Sequence, residues 1–256
     1  MPTNYHGQTT LWVLGSNGWM PSDGRQTCCF LVEVADELVL LDAGTGVANL
    51  SLVPQVLARH DRMHVLLSHY HLDHIAGLMY LKRFASHMHV DVYGPGRPVY
   101  ERTTADYLLD VLQPAVYSSG AHGFAREVHY HDYGGRDFVV GQVPVGVRPQ
   151  RHSSASFELR LKGELVYATD TSFDASAWTN VVPAKVLLHE CWQAGSGDPR
   201  HTSIESLAEG LPTEQFGRVL LIHQNPAWDK AERDHVACIA QSRGFVLAAD
   251  GMRITW

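Results

Sequence analysis

The sequence predicts an α/β fold made of two similar layered halves. Short apolar, strand-like runs crowd the start of each half. Stretches with helical spacing follow them. Polar residues of chemical interest recur where the runs stop. At 256 residues the chain can bury a substantial core. No composition shift marks a linker, so residues 1–256 read as one domain.

Strand-like runs come first: Thr10 to Gly15, Thr27 to Val34 and Glu37 to Asp42. Asp36-Glu37 breaks the last two into a hairpin. Val47 to His60 has helical spacing, interrupted near Pro54. Val65 to Ser68 reads as a short buried strand, Leu72 to Phe84 as a helix and Val90 to Tyr93 as a strand. Pro98 to Leu112 is helix-spaced, and residues 113–135 are loop-rich. Strands resume at Asp137 to Val147, Ser156 to Leu161 and Glu164 to Thr169, the last two joined by a Lys162-Gly163 turn. Val186 to His189 and Arg218 to His223 are buried-strand candidates. Ser203 to Glu209 and Lys230 to Ser242 read as helices.

The composition, 45% hydrophobic and 18% charged, is that of a soluble globular protein. No apolar run approaches the roughly 20 residues that span a bilayer. Met1 to His6 shows no basic region leading into an apolar core, so no secretory signal is expected. The four cysteines have no CxxC or framework spacing, and reduced, buried thiols in the cytoplasm are expected. A net charge of −7 without a Lys/Arg run argues against a long nucleic-acid partner.

One segment carries most of the chemistry. Ser68-His69-Tyr70-His71-Leu72-Asp73-His74 sets three imidazoles and a carboxylate in the order H-x-H-x-D-H, between a strand and a helix. Imidazoles suit zinc and other first-row metals. Later runs also end on polar residues: His152 lies beyond Val147, Asp170 ends Leu165 to Thr169, and His223 ends Val219 to Ile222. Singly, Asp170 can cap a turn and His223 can be a satisfied core histidine. Together with the first segment they suffice for two metals.

These residues, in this order, resemble the metallo-β-lactamase fold superfamily from Leu14 to about His223. The resemblance implies a four-layer αββα sandwich with metals at the sheet edges. It implies that His69, His71 and His152 hold one divalent metal and Asp73, His74 and His223 a second, with Asp170 bridging. Zinc is the expected ion, with manganese or iron as alternatives. Asp42, in Leu40-Leu41-Asp42-Ala43-Gly44, matches an acidic residue that supports the site without ligating. The implied chemistry is hydrolysis by a hydroxide shared between the metals, to which phosphodiesters are well suited.

Leu14-Gly15-Ser16, Pro21, Arg25 and Leu31-Val32-Glu33 are similar to the opening of ribonuclease Z and its phosphodiesterase relatives. His189-Glu190 and His201-Thr202-Ser203 resemble two further motifs of that branch, in which the matching Glu and His assist the leaving group. Asp73, Glu190 and His201 are therefore the candidate catalytic residues. Ribonuclease Z typically carries a Gly/Pro-rich arm that grips transfer RNA. Here the two-residue link at Lys162-Gly163 leaves no room for one. The expected substrate is a small molecule or short nucleotide rather than long structured RNA, with no membrane partner. A lactone or thioester hydrolase, and a non-catalytic metabolite-binding protein of a biosynthetic pathway, are the alternatives. Residues 113–135, rich in Tyr and His, can form a lid, a surface excursion or the contact of a homodimer.

Overall fold

The computed structural model describes residues 7–179, 181–195 and 198–256. The expected character of Met1 to His6 lies outside them. Fourteen strands among the described residues form two seven-stranded sheets. In chain order they are β1 (Thr10–Gly15), β2 (Cys29–Val34), β3 (Glu37–Leu41), β4 (Arg62–Leu66), β5 (His89–Gly94), β6 (Glu127–Asp132) and β7 (Phe138–Val140). There follow β8 (Val143–Gln150), β9 (Ser156–Leu161), β10 (Leu165–Ala168), β11 (Ala184–Glu190), β12 (Phe216–Ile222), β13 (Phe245–Leu247) and β14 (Arg253–Thr255). The first sheet runs β14-β1-β2-β3-β4-β5-β6 and the second β13-β12-β11-β10-β9-β8-β7.

Three apolar clusters account for the layering. Leu11, Val13, Phe30 and Val32 of one sheet meet Leu159, Tyr167, Leu188 and Ile222 of the other between the sheets. The alternate residues Trp12, Leu14, Cys29 and Leu31 turn outward onto the helical turns around Val47, Leu78 and Leu108. On the far side Val166, Leu187 and Leu221 pack against Ile204, Leu207 and Val236. Strands covered on both faces carry continuous apolar runs rather than an alternation, which is how they read in the sequence. The result is the αββα sandwich.

Several elements differ from expectation. Asp137 to Val147 is not one strand but the β7–β8 hairpin, turning at Gly141 with φ +53°. Residues 113–135 are not all loop, because Glu127–Asp132 adds β6 in parallel to β5. Leu72 to Phe84 divides into short helical turns at 72–75, 76–80 and 81–85. The helix expected from Pro98 starts only at Thr104, where Thr103 and Asp106 form a capping box. Lys162 and Gly163 both have positive φ, the type I′ geometry that matches strand twist, and Glu164 N closes the turn on Leu161 O at 2.9 Å. No arm leaves the sheet there. Cys28, Cys29 and Cys191 are buried free thiols, but Cys238 is exposed. No helix of the described residues is long and apolar enough to cross a membrane.

Candidate metal centre and its cleft

Parallel pairing gathers the site. β3 and β4 run parallel with Leu41 beside Leu66, so Asp42 and Ser68-His69 leave the first sheet together. β10, β11 and β12 are parallel in the second sheet, with Ala168 beside His189 and Glu190 beside Ile222. Asp170, Glu190 and His223 therefore emerge at one edge. Asp42, Asp170 and His223 all adopt left-handed backbone, φ +48° to +51°. Such strain persists where surrounding structure enforces it and concentrates at functional sites.

All seven expected metal residues meet. Ligand atoms of His69, His71, His152 and Asp170 lie within 4.8 Å of one another, as do those of Asp73, His74 and His223. Asp170 faces both groups. Its Oδ1 is 3.3 Å from His152 Nε2, and its Oδ2 is 2.9 Å from His74 Nε2 and 3.2 Å from His223 Nε2. Asp170, His201 and His223 form a third grouping of the same tightness.

The opposite ring nitrogens are tied back. His74 Nδ1 donates to Asp42 Oδ2 at 2.6 Å. His69 Nδ1 donates to Ser68 Oγ at 2.9 Å, and that hydroxyl donates to the same Asp42 oxygen at 2.7 Å. Tyr167 OH adds a further bond to Asp42 at 2.6 Å. His71 Nε2 meets Ser154 Oγ at 3.2 Å, and His152 Nδ1 meets the carbonyl of Arg200 at 3.3 Å. Supports of this kind fix ring orientation and tautomer at a metal site.

The donor set fits divalent metals. His69 Nε2 is buried without a hydrogen-bond partner, and His74 Nε2 faces the Asp170 carboxylate at 2.9 Å. Burial drives the His69, His71 and His152 imidazoles below their usual range, toward the neutral form that ligates. Burial also opposes charging of His74 and His223. There the surrounding carboxylates, Asp73 and Asp170 among them, outweigh it and push both imidazoles well above their usual range. Asp42, Asp73 and Asp170 thus set several carboxylates around these rings, negative charge that a metal cation would neutralise.

Glu190 and His201 sit beside this cluster. His201 Nδ1 is 2.9 Å from Glu190 Oε2. Glu190 Oε1 accepts the backbone N–H of Thr171 and of Thr202, and His223 Nδ1 is 3.4 Å from Oε2. Burial raises the Glu190 pKa, but the bonds from His201 and His223 prevail and keep it ionised. The indole of Trp192 stacks on His201 with ring centres 5.0 Å apart.

A cleft of about 350 Å³ opens onto these groups, lined by His71, Asp73, His152, Asp170, His201 and His223 together with Trp19, Ser153, Trp192, Asp198 and Arg200. That is the lower end of small-molecule sites. None of the aromatic residues of the 113–135 segment lines it. Phe124 is instead buried under the outer helical layer, and Tyr133 OH donates to Leu67 O. A larger hollow, about 940 Å³, is lined by Ala48, Met79, Arg83 and Tyr117 among others and contains none of the candidate ligands. Sequence reasoning missed Ser154, Trp19 and Trp192. Only the spacing of Ser154 two residues after His152 offered a signal.

Fold and site define a metal-dependent hydrolase of the metallo-β-lactamase fold. The chain belongs to the family described as Anti-Pycsar protein Apyc1, which it matches over residues 10–245. Among curated relatives, ribonuclease Z of Methanopyrus kandleri is 38% identical over 85 residues, which cover 32% of this chain and only 30% of that protein. The probable metallo-hydrolase YhfI of Bacillus subtilis is 25% identical over 223 residues, 82% of this chain and 85% of that one. The YhfI crystal structure superposes with a TM-score of 0.75 at 21% identity, covering 97% of this chain and 99% of that one. The crystal structure of a diphosphatase from the PhnP family superposes with a TM-score of 0.71 at 18% identity, covering 96% of this chain and 97% of that one. At these identities the structural matches speak for the fold alone.

Proposed function

We propose that the chain hydrolyses a small or nucleotide-like phosphodiester at a site for two divalent metal ions, zinc being the ion its imidazole-rich donor set suits. One observation carries the reading. A carboxylate-held histidine, His201, shares a 350 Å³ cleft with two ligand groups that Asp170 touches with separate oxygens. Two such ions, when bound, would lower the pKa of water and neutralise charge on a phosphodiester.

The chain's own residues do the rest. Asp170 sets the separation of the two sites. Asp42 orients His74 directly and His69 through Ser68. Glu190 occupies Nδ1 of His201, which leaves Nε2 as the nitrogen free to hand a proton to a departing oxygen. No tyrosine lines the cleft, so a hydrogen bond to a carbonyl oxygen, which a lactone or thioester hydrolase would use, has no phenol to supply it among the described residues. The narrow cleft and the two-residue link at Lys162-Gly163 support a small substrate over long structured RNA.

The test is activity of the purified, metal-loaded protein on bis(p-nitrophenyl) phosphate against a panel of lactones and thioesters. Turnover of the phosphodiester alone is expected. Preference for the lactones would overturn the reading.

A further inference from the structure

We infer that Trp19 is the platform on which the planar base of a nucleotide substrate stacks, a subsite that rests on the phosphodiester reading above. Trp19 lines the same cleft as His71, Asp73 and His223, yet its side chain is 64% exposed. Met20 beside it is 46% exposed. Large apolar side chains left bare at the mouth of a polar cleft mark a binding surface.

The loop bearing Trp19 is fixed to the metal residues. Its backbone N–H donates to Asp73 Oδ2 at 2.7 Å. Gly18 lies against the His223 ring so closely that a Cβ there would come within 2.3 Å of it. Gly18 N also bonds Gln224 O, Asn17 N bonds Gln26 O, and Ser16 is held by Asp250. Trp19 itself has φ +57°, a left-handed conformation that a bulky residue adopts only under constraint. The backbone that presents the indole is therefore fixed before a ligand arrives, which lowers the ordering cost of binding.

The placement selects the ligand. The Trp19 amide contacts a residue of the second metal group, and its side chain lines the same cleft while staying exposed. A substrate that meets both has its phosphodiester at the metal residues and a flat ring system beside it. Nucleotides have that layout, and base stacking on an aromatic face tolerates any base. Arg200 is held by Asp198, which takes its Nε and Nη2, and Trp192 already stacks on His201, so among the described residues lining the cleft Trp19 is the indole left to a ligand.

The experiment measures binding and turnover separately on the metal-loaded protein. By calorimetry, wild type should bind AMP about ten- to a hundredfold more tightly than ribose 5-phosphate. Trp19→Ala should remove that difference, and Trp19→Phe should restore most of it. With p-nitrophenyl esters, Trp19→Ala should raise KM for the thymidine 5′-phosphate ester by a much larger factor than KM for methyl p-nitrophenyl phosphate, at equal metal content. An AMP advantage absent from wild type, or retained in Trp19→Ala, overturns the platform. Failure of wild type to hydrolyse either ester counts against the phosphodiester reading instead, and the AMP comparison still decides the role of Trp19.

Discussion

Glu190 and His201 form one pair, Oε2 to Nδ1 at 2.9 Å, although Glu190 ends β11 and His201 lies in the loop eleven residues further on. The same carboxylate oxygen lies 3.4 Å from Nδ1 of His223, a candidate metal residue. The proposed proton donor and the candidate metal site therefore share an anchor.

His201→Ala should keep its metal and slow alkyl phosphodiesters by roughly 10²–10⁴-fold, the scale of general acid catalysis. Esters of p-nitrophenol, whose leaving group needs little protonation, should suffer much less. Because His201 also lies in a grouping with Asp170 and His223, elemental analysis accompanies the kinetics. Equal slowing of both substrates, or a lost metal, would make His201 a ligand. Glu190→Gln should show the leaving-group pattern in weaker form, with some loss of metal affinity through His223.

Metal content should approach two ions per chain by elemental analysis after gentle purification. Asp170→Ala should empty both positions, since separate oxygens face the two groups. Loss from neither would reassign Asp170 to the turn after β10. Asp42→Asn should weaken metal affinity about 10–100-fold without removing a ligand, because it orients His74 and, through Ser68, His69. Competition with a chromogenic chelator reads this directly.

Precursor transfer RNA should be a poor substrate at physiological salt. Specific and efficient cleavage there would contradict the proposal. Weak retention at low salt would not, since non-specific contact with phosphates depends steeply on salt.

Acid stability should depend on Asp91, away from the cleft. Burial raises its pKa, but the bonds from His131 and Arg62 outweigh this and hold it below the ordinary carboxylate value. A depressed carboxylate contributes stability that is present above its unfolded pKa, about 3.9, and is lost as pH falls through the folded value. Asp91→Asn should therefore lower Tm at pH 6 to 7 and lose less on acidification to pH 3. A constant Tm difference between wild type and variant across that range would show that the carboxylate's charge does not contribute.

What the sequence by itself determined is local. Runs covered on both faces, such as Cys29 to Val32 and Val186 to Leu188, are continuously apolar and read as strands. The H-x-H-x-D-H segment declares its chemistry because four strong ligands in six residues have no packing explanation. The edge strand β6 was not legible. Its sequence, EVHYHD, offers no clean apolar face, and it is a strand because β5 presents a free edge to pair with. β13 and β14, three residues each, are likewise defined by the neighbours they complete.

Only the tertiary structure decided which strand ends meet. Asp170, Glu190 and His223 are far apart in the chain, and parallel registry of β10, β11 and β12 places them side by side. Ser154 supports His71, and Tyr167 supports Asp42, from the opposite sheet. Trp19 reaches the cleft because its amide finds Asp73 across 54 residues. The physical reason is that a side chain's type is set locally, whereas its partners are set by long-range pairing and packing, in which residues remote in sequence bury one another.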